Sequence, residues 1–141
     1  MGFRKFLSSI GIGSMSVETV VETPNVEAGD PLLGSIYIED NGSEQEIEFI
    51  ELIVLKRLER YSEYSDFEVV DKTVTKQTLE VAAGFNSKNS HILDFQLVPD
   101  ERWQTEQENE KLILRTVVHI LNGVDCSDED EITYTQMERD R

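Results

Sequence analysis

With 141 residues, the chain is long enough for one domain that buries about two-thirds of the surface its unfolded form exposes, so it needs no disulfide or metal staple to fold. Its 29 acidic against 13 basic side chains give a formal charge of -16, which repels a phosphate backbone and argues against nucleic acid as a partner; basic protein patches, cations, solubility or a salty habitat account better for the excess. The one cysteine, Cys126, cannot form an internal disulfide, which favours a reducing cytoplasm, and no run of about 18 apolar residues is present to span a membrane.

The first fourteen residues, MGFRKFLSSIGIGS, are basic and apolar without an acid. Phe3, Phe6, Leu7 and Ile10 fall at helical spacing with Arg4 and Lys5 off that stripe, and Gly11 and Gly13 end it. The expectation over 1–13 is a short amphipathic helix that covers one end of a sheet. Contact of the same face with a membrane surface is the alternative, and two cations with four apolar residues make that binding weak. The apolar region is too short and interrupted for a signal peptide, and Phe6 stands where a myristoylation pattern requires Ser or Thr.

From Val17 to Ile38 the pattern changes to period two. Val17, Thr19 and Val21 share one face, and Gly34, Ile36 and Ile38 share another, while Pro24, Asn25, Gly29, Asp30 and Pro31 cluster between them. Proline fixes φ and withholds a donor and glycine permits positive φ, so two antiparallel strands joined by a turn are expected. Asp40 to Ser43 supplies the next turn. Gln45 to about Leu58 carries apolar residues on both faces, from Ile47 and Phe49 to Leu55 and Leu58, as a strand inside a packed sheet does. Arg57 to Asp66 then reads as a strand tip and an exposed hairpin loop displaying Tyr61 and Tyr64.

Phe67 to Val81, rich in Val and Thr, is expected to be a further strand or bent pair with Lys72 and Lys76 on its polar side, where they discourage edge-to-edge aggregation. Residues 82–87 form a loop. His91, Leu93, Phe95 and Leu97 alternate with Ile92, Asp94 and Gln96 up to a stop at Pro99-Asp100. Glu101 to Glu110 is the most hydrophilic stretch and reads as an exposed loop with a helical turn, anchored by Trp103. Lys111 to Leu121 is the last strong strand, turned by Asn122-Gly123. Val124 to Asp130 reads as an acidic connector, Ile132 to Thr135 as a short closing strand, and 136–141 as a charged tail. Six to eight strands with almost no helix describe an all-β, antiparallel β-sandwich over 14–135.

Five marks along the chain, in order, resemble the sporulation-control protein M family, whose members have an arrestin-like fold. They are the start FRKFLSSIGIG with Glu22 near the end of the next strand, the turn Val26 to Asp30, Gly34 to Ile38, the entry Gln45-Glu46-Ile47, and Asp125, Asp128 and Asp130 before Ile132. The resemblance implies an arrestin-like amino-terminal sandwich, a second sandwich after it, and a regulatory interaction factor associated with spore formation. The sequence stops where the second sandwich is due, as expected of a fragment or a single-domain relative. It also has Cys126-Ser127 where a proline is expected, and lacks a tryptophan in the preceding strand.

No catalytic constellation emerges from the titratable residues. His91 and His119 lie in strand patterns without a Gly-x-Ser-x-Gly elbow or a glycine-rich phosphate loop, and the acids around Cys126 oppose its ionisation. Asp125, Asp128 and Asp130 offer oxygens to a hard cation, yet the run lacks the glycine bend and distant glutamate of a calcium loop, so a solvated loop is expected. Nothing in the pattern calls for a cofactor or a metal. The expected function is a non-enzymatic, cytoplasmic module that presents sheet edges and loops to protein partners, with Tyr61, Tyr64, Asp125, Asp128 and Asp130 as candidate contacts. A peripheral membrane adaptor using Phe3 to Ile10 is the alternative. Uncovered sheet edges also make pairing with a second copy plausible.

Overall fold

The computed structural model describes residues 15–40, 46–61, 63–64, 66–81 and 91–136. The expected helix over 1–13, the turn after Asp40, the loop 82–87 and the end of the charged tail lie outside the described residues. Among the described residues eight strands follow in order: β1 (Met15–Val21), β2 (Asn25–Glu27), β3 (Leu32–Asp40), β4 (Glu46–Tyr61), β5 (Phe67–Glu80), β6 (His91–Leu97), β7 (Glu110–Leu121) and β8 (Cys126–Thr135). They form two sheets, one of three strands in the order β1-β3-β6 and one of five in the order β2-β8-β7-β4-β5. This is the expected all-β, arrestin-like sandwich.

The period-two pattern sets which residues fill the space between the sheets. Val17, Ile36, Ile38, Phe95 and Leu97 from the small sheet meet Ile50, Leu52, Val54, Leu114, Val118 and Ile132 from the large one. β1 and β3 pair antiparallel with Val17 opposite Ile38 and Val21 opposite Gly34, as the alternation requires. Gly34 is needed for packing: a Cβ there would lie 2.6 Å from the Phe95 ring and 2.7 Å from the Val20 carbonyl oxygen. The connection between these strands is more than a turn. Thr23 and Pro24 lead into β2, which crosses to the other sheet and pairs in parallel with β8, with Val26 buried opposite Tyr134. The remaining ladders are antiparallel. Gly29, with φ of 93°, then turns the chain back toward β3.

β4 is an interior strand, between β5 and β7, with Ile50, Leu52 and Val54 in the core and Leu55 buried on its outer face. The hairpin is tighter than the expected loop from Arg57: β4 runs to Tyr61 and β5 starts at Phe67. β5 is one strand with a β-bulge. Val54 faces Thr75 and Leu55 faces Thr73, so Val74 is the extra residue and is driven into the core. The bulge reverses the facing of everything before it. Lys72 therefore lies on the inner face opposite Lys56, whereas Lys76 lies on the outer face opposite Ile53. The expectation that both lysines share one polar side is corrected by that single residue.

A 3-10 turn at Glu101–Trp103 is capped by Asp100, whose side chain accepts from the Arg102 backbone N–H. Trp103 is fully buried, its Nε1 donating to Thr75 Oγ1 at 2.8 Å, and its ring meets Tyr134 edge-on. The anchoring role expected of Trp103 is thus satisfied by β5 and β8.

The largest correction concerns residues 124–130. Only Val124 and Asp125 form a connector: β8 begins at Cys126 and pairs with β7 through Cys126 opposite Val118 and Asp128 opposite Thr116. Cys126, Asp128 and Ile132 point inward, and Asp128 is 1% exposed. Its Oδ2 accepts the Thr19 backbone N–H at 2.8 Å, and Thr19 Oγ1 bonds Thr116 Oγ1 at 2.7 Å. A polar bridge thereby ties edge strand β1 to the large sheet. The donor that justifies burying this acid lies 109 residues away in the chain.

Candidate interaction surface

Two features of the large sheet's outer face stand out, both set by register. Leu55 and Ile113 are opposite one another and buried, although they lie outside the main core. Arg57 and Arg115 stand two residues along from them on β4 and β7, and their arms meet over this apolar pair. Arg57 donates Nε and Nη2 to the two Asp71 oxygens at 2.8 and 3.0 Å, and Nη1 and Nη2 to the two Glu129 oxygens at 3.0 and 3.1 Å. Arg115 adds Nε to Glu129 at 2.9 Å and Nη2 to Asp71 at 3.3 Å. Four strands are clasped by two cations and two anions, in bidentate geometry that suits guanidinium. The hydrogen bond from Arg57 is the main reason that Asp71 and Glu129 both titrate below the ordinary carboxylate range, with Arg115 reinforcing it and partial burial opposing it.

At the far end of β4 and β7, the His119 ring stacks on Phe49 at 4.2 Å. Its Nε2 lies 3.0 Å from Glu51 Oε1 and its Nδ1 3.0 Å from Asp125 Oδ2. Asp125 also accepts the Ile120 backbone N–H at 2.9 Å, which closes the turn at Asn122-Gly123. The His119 hydrogen bond, with Lys76 at 3.3 Å, holds Glu51 below its ordinary range against the pull of burial. Burial and the neighbouring Asp125 push the Cys126 thiol up to about 11.

The expected contact residues therefore separate. Tyr61 and Tyr64 are 72% and 79% exposed at the hairpin tip, where Phe67, 57% exposed, meets the Tyr61 ring edge-on at 5.4 Å. Val69 continues this apolar surface along the outer face of β5, whereas Val70, also exposed, lies on its inner face. Asp125 belongs to the His119 turn, Asp128 to the buried bridge, and Asp130 to the same inward-facing row of β8. The structure does not gather the three acids into one site. Among the described residues no group of three or more His, Cys, Asp or Glu side chains is placed to hold a metal ion. No helix among them is long and apolar enough to cross a membrane. Sequence reading missed the clasp and the Lys56–Lys72 apposition. The even spacing of Cys126, Asp128, Asp130 and Ile132 was the available signal for β8.

The family model described as SpoOM protein matches residues 3–138. Among solved structures, the sporulation control protein Spo0M from Bacillus subtilis is similar at 20% identity and a TM-score of 0.67, with 88% of this chain and 50% of that one covered. A DUF4466 family protein from Parabacteroides merdae is similar at 8% identity and a TM-score of 0.53, with 86% of this chain and 45% of that one covered. The chain thus spans about half the length of the solved structures it resembles. At these identities the likeness speaks for the fold. No curated protein sequence matches the chain.

Proposed function

Because the chain belongs to the SpoOM protein family, we propose that it is a non-enzymatic regulatory module that acts by contacting other proteins in the cytoplasm, in the manner of sporulation control. The β4–β5 hairpin is the contacting element. The observation that carries this reading is the concentration of exposed Tyr61, Tyr64, Phe67, Val69 and Val70 on one hairpin of a strongly acidic protein. Aromatic side chains with few rotatable bonds are favoured in protein interfaces, and a contiguous apolar surface at a loop tip is a common form of docking site. Structural roles for two side chains that could otherwise serve chemistry support the non-enzymatic part: His119 is taken up between Glu51 and Asp125, and the Cys126 thiol is buried and raised.

A photo-crosslinking residue in place of Tyr64, introduced in the native host, tests this. Discrete protein adducts that vanish when Phe67 is changed to Ser are expected. An adduct pattern indifferent to Phe67→Ser, or no adducts at all, counts against the hairpin as a contact.

A further inference from the structure

We propose that the free edge of β5 receives an extended, largely uncharged peptide segment from a partner, bearing one carboxylate side chain that seats beside Lys72. This rests on the protein-contact reading above and names the partner's chemistry. Among the described residues β5 is paired on one side only: it is the outermost strand of its sheet and runs for 14 residues. An edge of that length offers alternate N–H and C=O groups to any added strand, and sheet proteins generally blunt such edges with proline, bulges or charge. Here the bulge at Val74 interrupts the edge and leaves Phe67 to Thr73 as its uninterrupted half. In that half Phe67, Val69 and Val70 are exposed, and Val70 and Lys72 share the inner face.

The charge pattern selects the partner. Lys56 and Lys72 are directly opposite across the ladder, an arrangement in which like charges repel. Lys56 turns away and donates Nζ to the Gln104 carbonyl at 2.9 Å. Among the described residues Lys72 has no ion-pair or hydrogen-bond partner, in a protein with more than twice as many acids as bases. The two lysines border a cleft of about 310 Å³ between the hairpin and the segment from Glu101 to Glu106. Arg102, across the cleft, is held by Asp100 at 2.8 Å. Glu101 and Glu106 line the same cleft and repel a free anion there. A carboxylate brought in on a strand already hydrogen-bonded to β5 is a better fit, since the backbone ladder supplies affinity and Lys72 supplies selectivity.

The test uses the full chain and three soluble extended peptides of alternating Thr and Val that differ only in a central Glu, Gln or Lys. Fluorescence anisotropy is expected to give binding about two- to fivefold tighter for the Glu peptide than for the Gln peptide, the range of a favourable cross-strand pair, and weaker binding for the Lys peptide. Lys72→Gln is expected to erase the preference for Glu without abolishing binding, whereas Lys76→Gln leaves the preference intact. Hydrogen exchange is expected to slow at the outward amides of Phe67 to Thr73 when peptide is present. Equal binding of the three peptides, binding of none, or a preference untouched by Lys72→Gln overturns the proposal. So does protection at β6 in place of β5, or protection of β5 that grows with protein concentration alone, which would assign the edge to a second copy. Crosslinks from position 64 that persist while the peptides fail would sink this proposal and leave the contact reading standing.

Discussion

Replacing Arg57 by Met tests the clasp over Leu55 and Ile113. The substitution removes four charge-assisted hydrogen bonds and preserves most of the aliphatic cover. Taken as independent bonds to charged groups, at about 1.5 kcal/mol each, they would sum to about 6 kcal/mol. That figure overstates the loss for two reasons. Arg57, Asp71 and Glu129 have side chains 19%, 33% and 36% exposed, so solvent screens the pairs. Asp71 and Glu129 also keep Arg115, so neither acid is left alone. A loss of about 1–2 kcal/mol is expected, equivalent to a fall in Tm of roughly 3–8 °C for a domain of this size. The sign with pH follows from linkage. The folded-state pKa values of Asp71 and Glu129 lie below their ordinary 3.8 and 4.5, so their contribution is complete above those values and is lost as pH falls through the depressed ones. Urea denaturation of both forms at pH 7 and pH 3 is the assay, with the gap between them expected to narrow in acid. A loss under about 0.3 kcal/mol at pH 7, within the usual effect of a neutral surface change, would refute the reasoning, as would a gap of the same size at both pH values.

Gly34→Ala is expected to cost about 1–3 kcal/mol by overpacking, because one of the atoms in the way is the Val20 backbone oxygen; an unchanged denaturation midpoint would contradict it. Asp128→Ala is expected to lose about 1–3 kcal/mol by leaving the Thr19 N–H unsatisfied, whereas Asp128→Asn, which keeps an acceptor oxygen, is expected to lose less. Equal losses from the two would show that the bridge is not the reason. Cys126, buried with its thiol pushed up to about 11, is expected to resist iodoacetamide at pH 8 in the native protein and react in urea, as mass spectrometry would report.

How far the fold could be read from the sequence depended on whether the stabilising partner was local. β1, β3 and β6 announce themselves because their inward positions are largely apolar and their outward positions largely polar, as with Val17 and Glu18 or Leu93 and Asp94, and β7 by its unbroken apolar run. β8 breaks that rule at Asp128, whose charge suggests a loop until Thr19 is seen beside it. β2 is three residues long, too short for any period. At the candidate surface, Tyr61 and Tyr64 were legible as aromatic residues in a polar tip. The apposition of Lys56 and Lys72 was not, because it depends on which residue of β5 bulges. Arg57, Asp71, Arg115 and Glu129 come from four strands, and no local pattern links them.

The polar bridge from Thr19 to Asp128 and the parallel ladder from Val26 to Tyr134 also bear on how the chain is made. Both join the beginning of the described chain to its last strand, so neither forms during synthesis until β8 has begun to leave the ribosome. Contacts this far apart in sequence slow folding, because the chain must close a long loop before they stabilise it. Until then β1 and β3 can pair with each other, but their core face has only part of its cover. A nascent chain halted after β7 is therefore expected to bind holding chaperones, and release of β8 to be the moment at which the sandwich shuts.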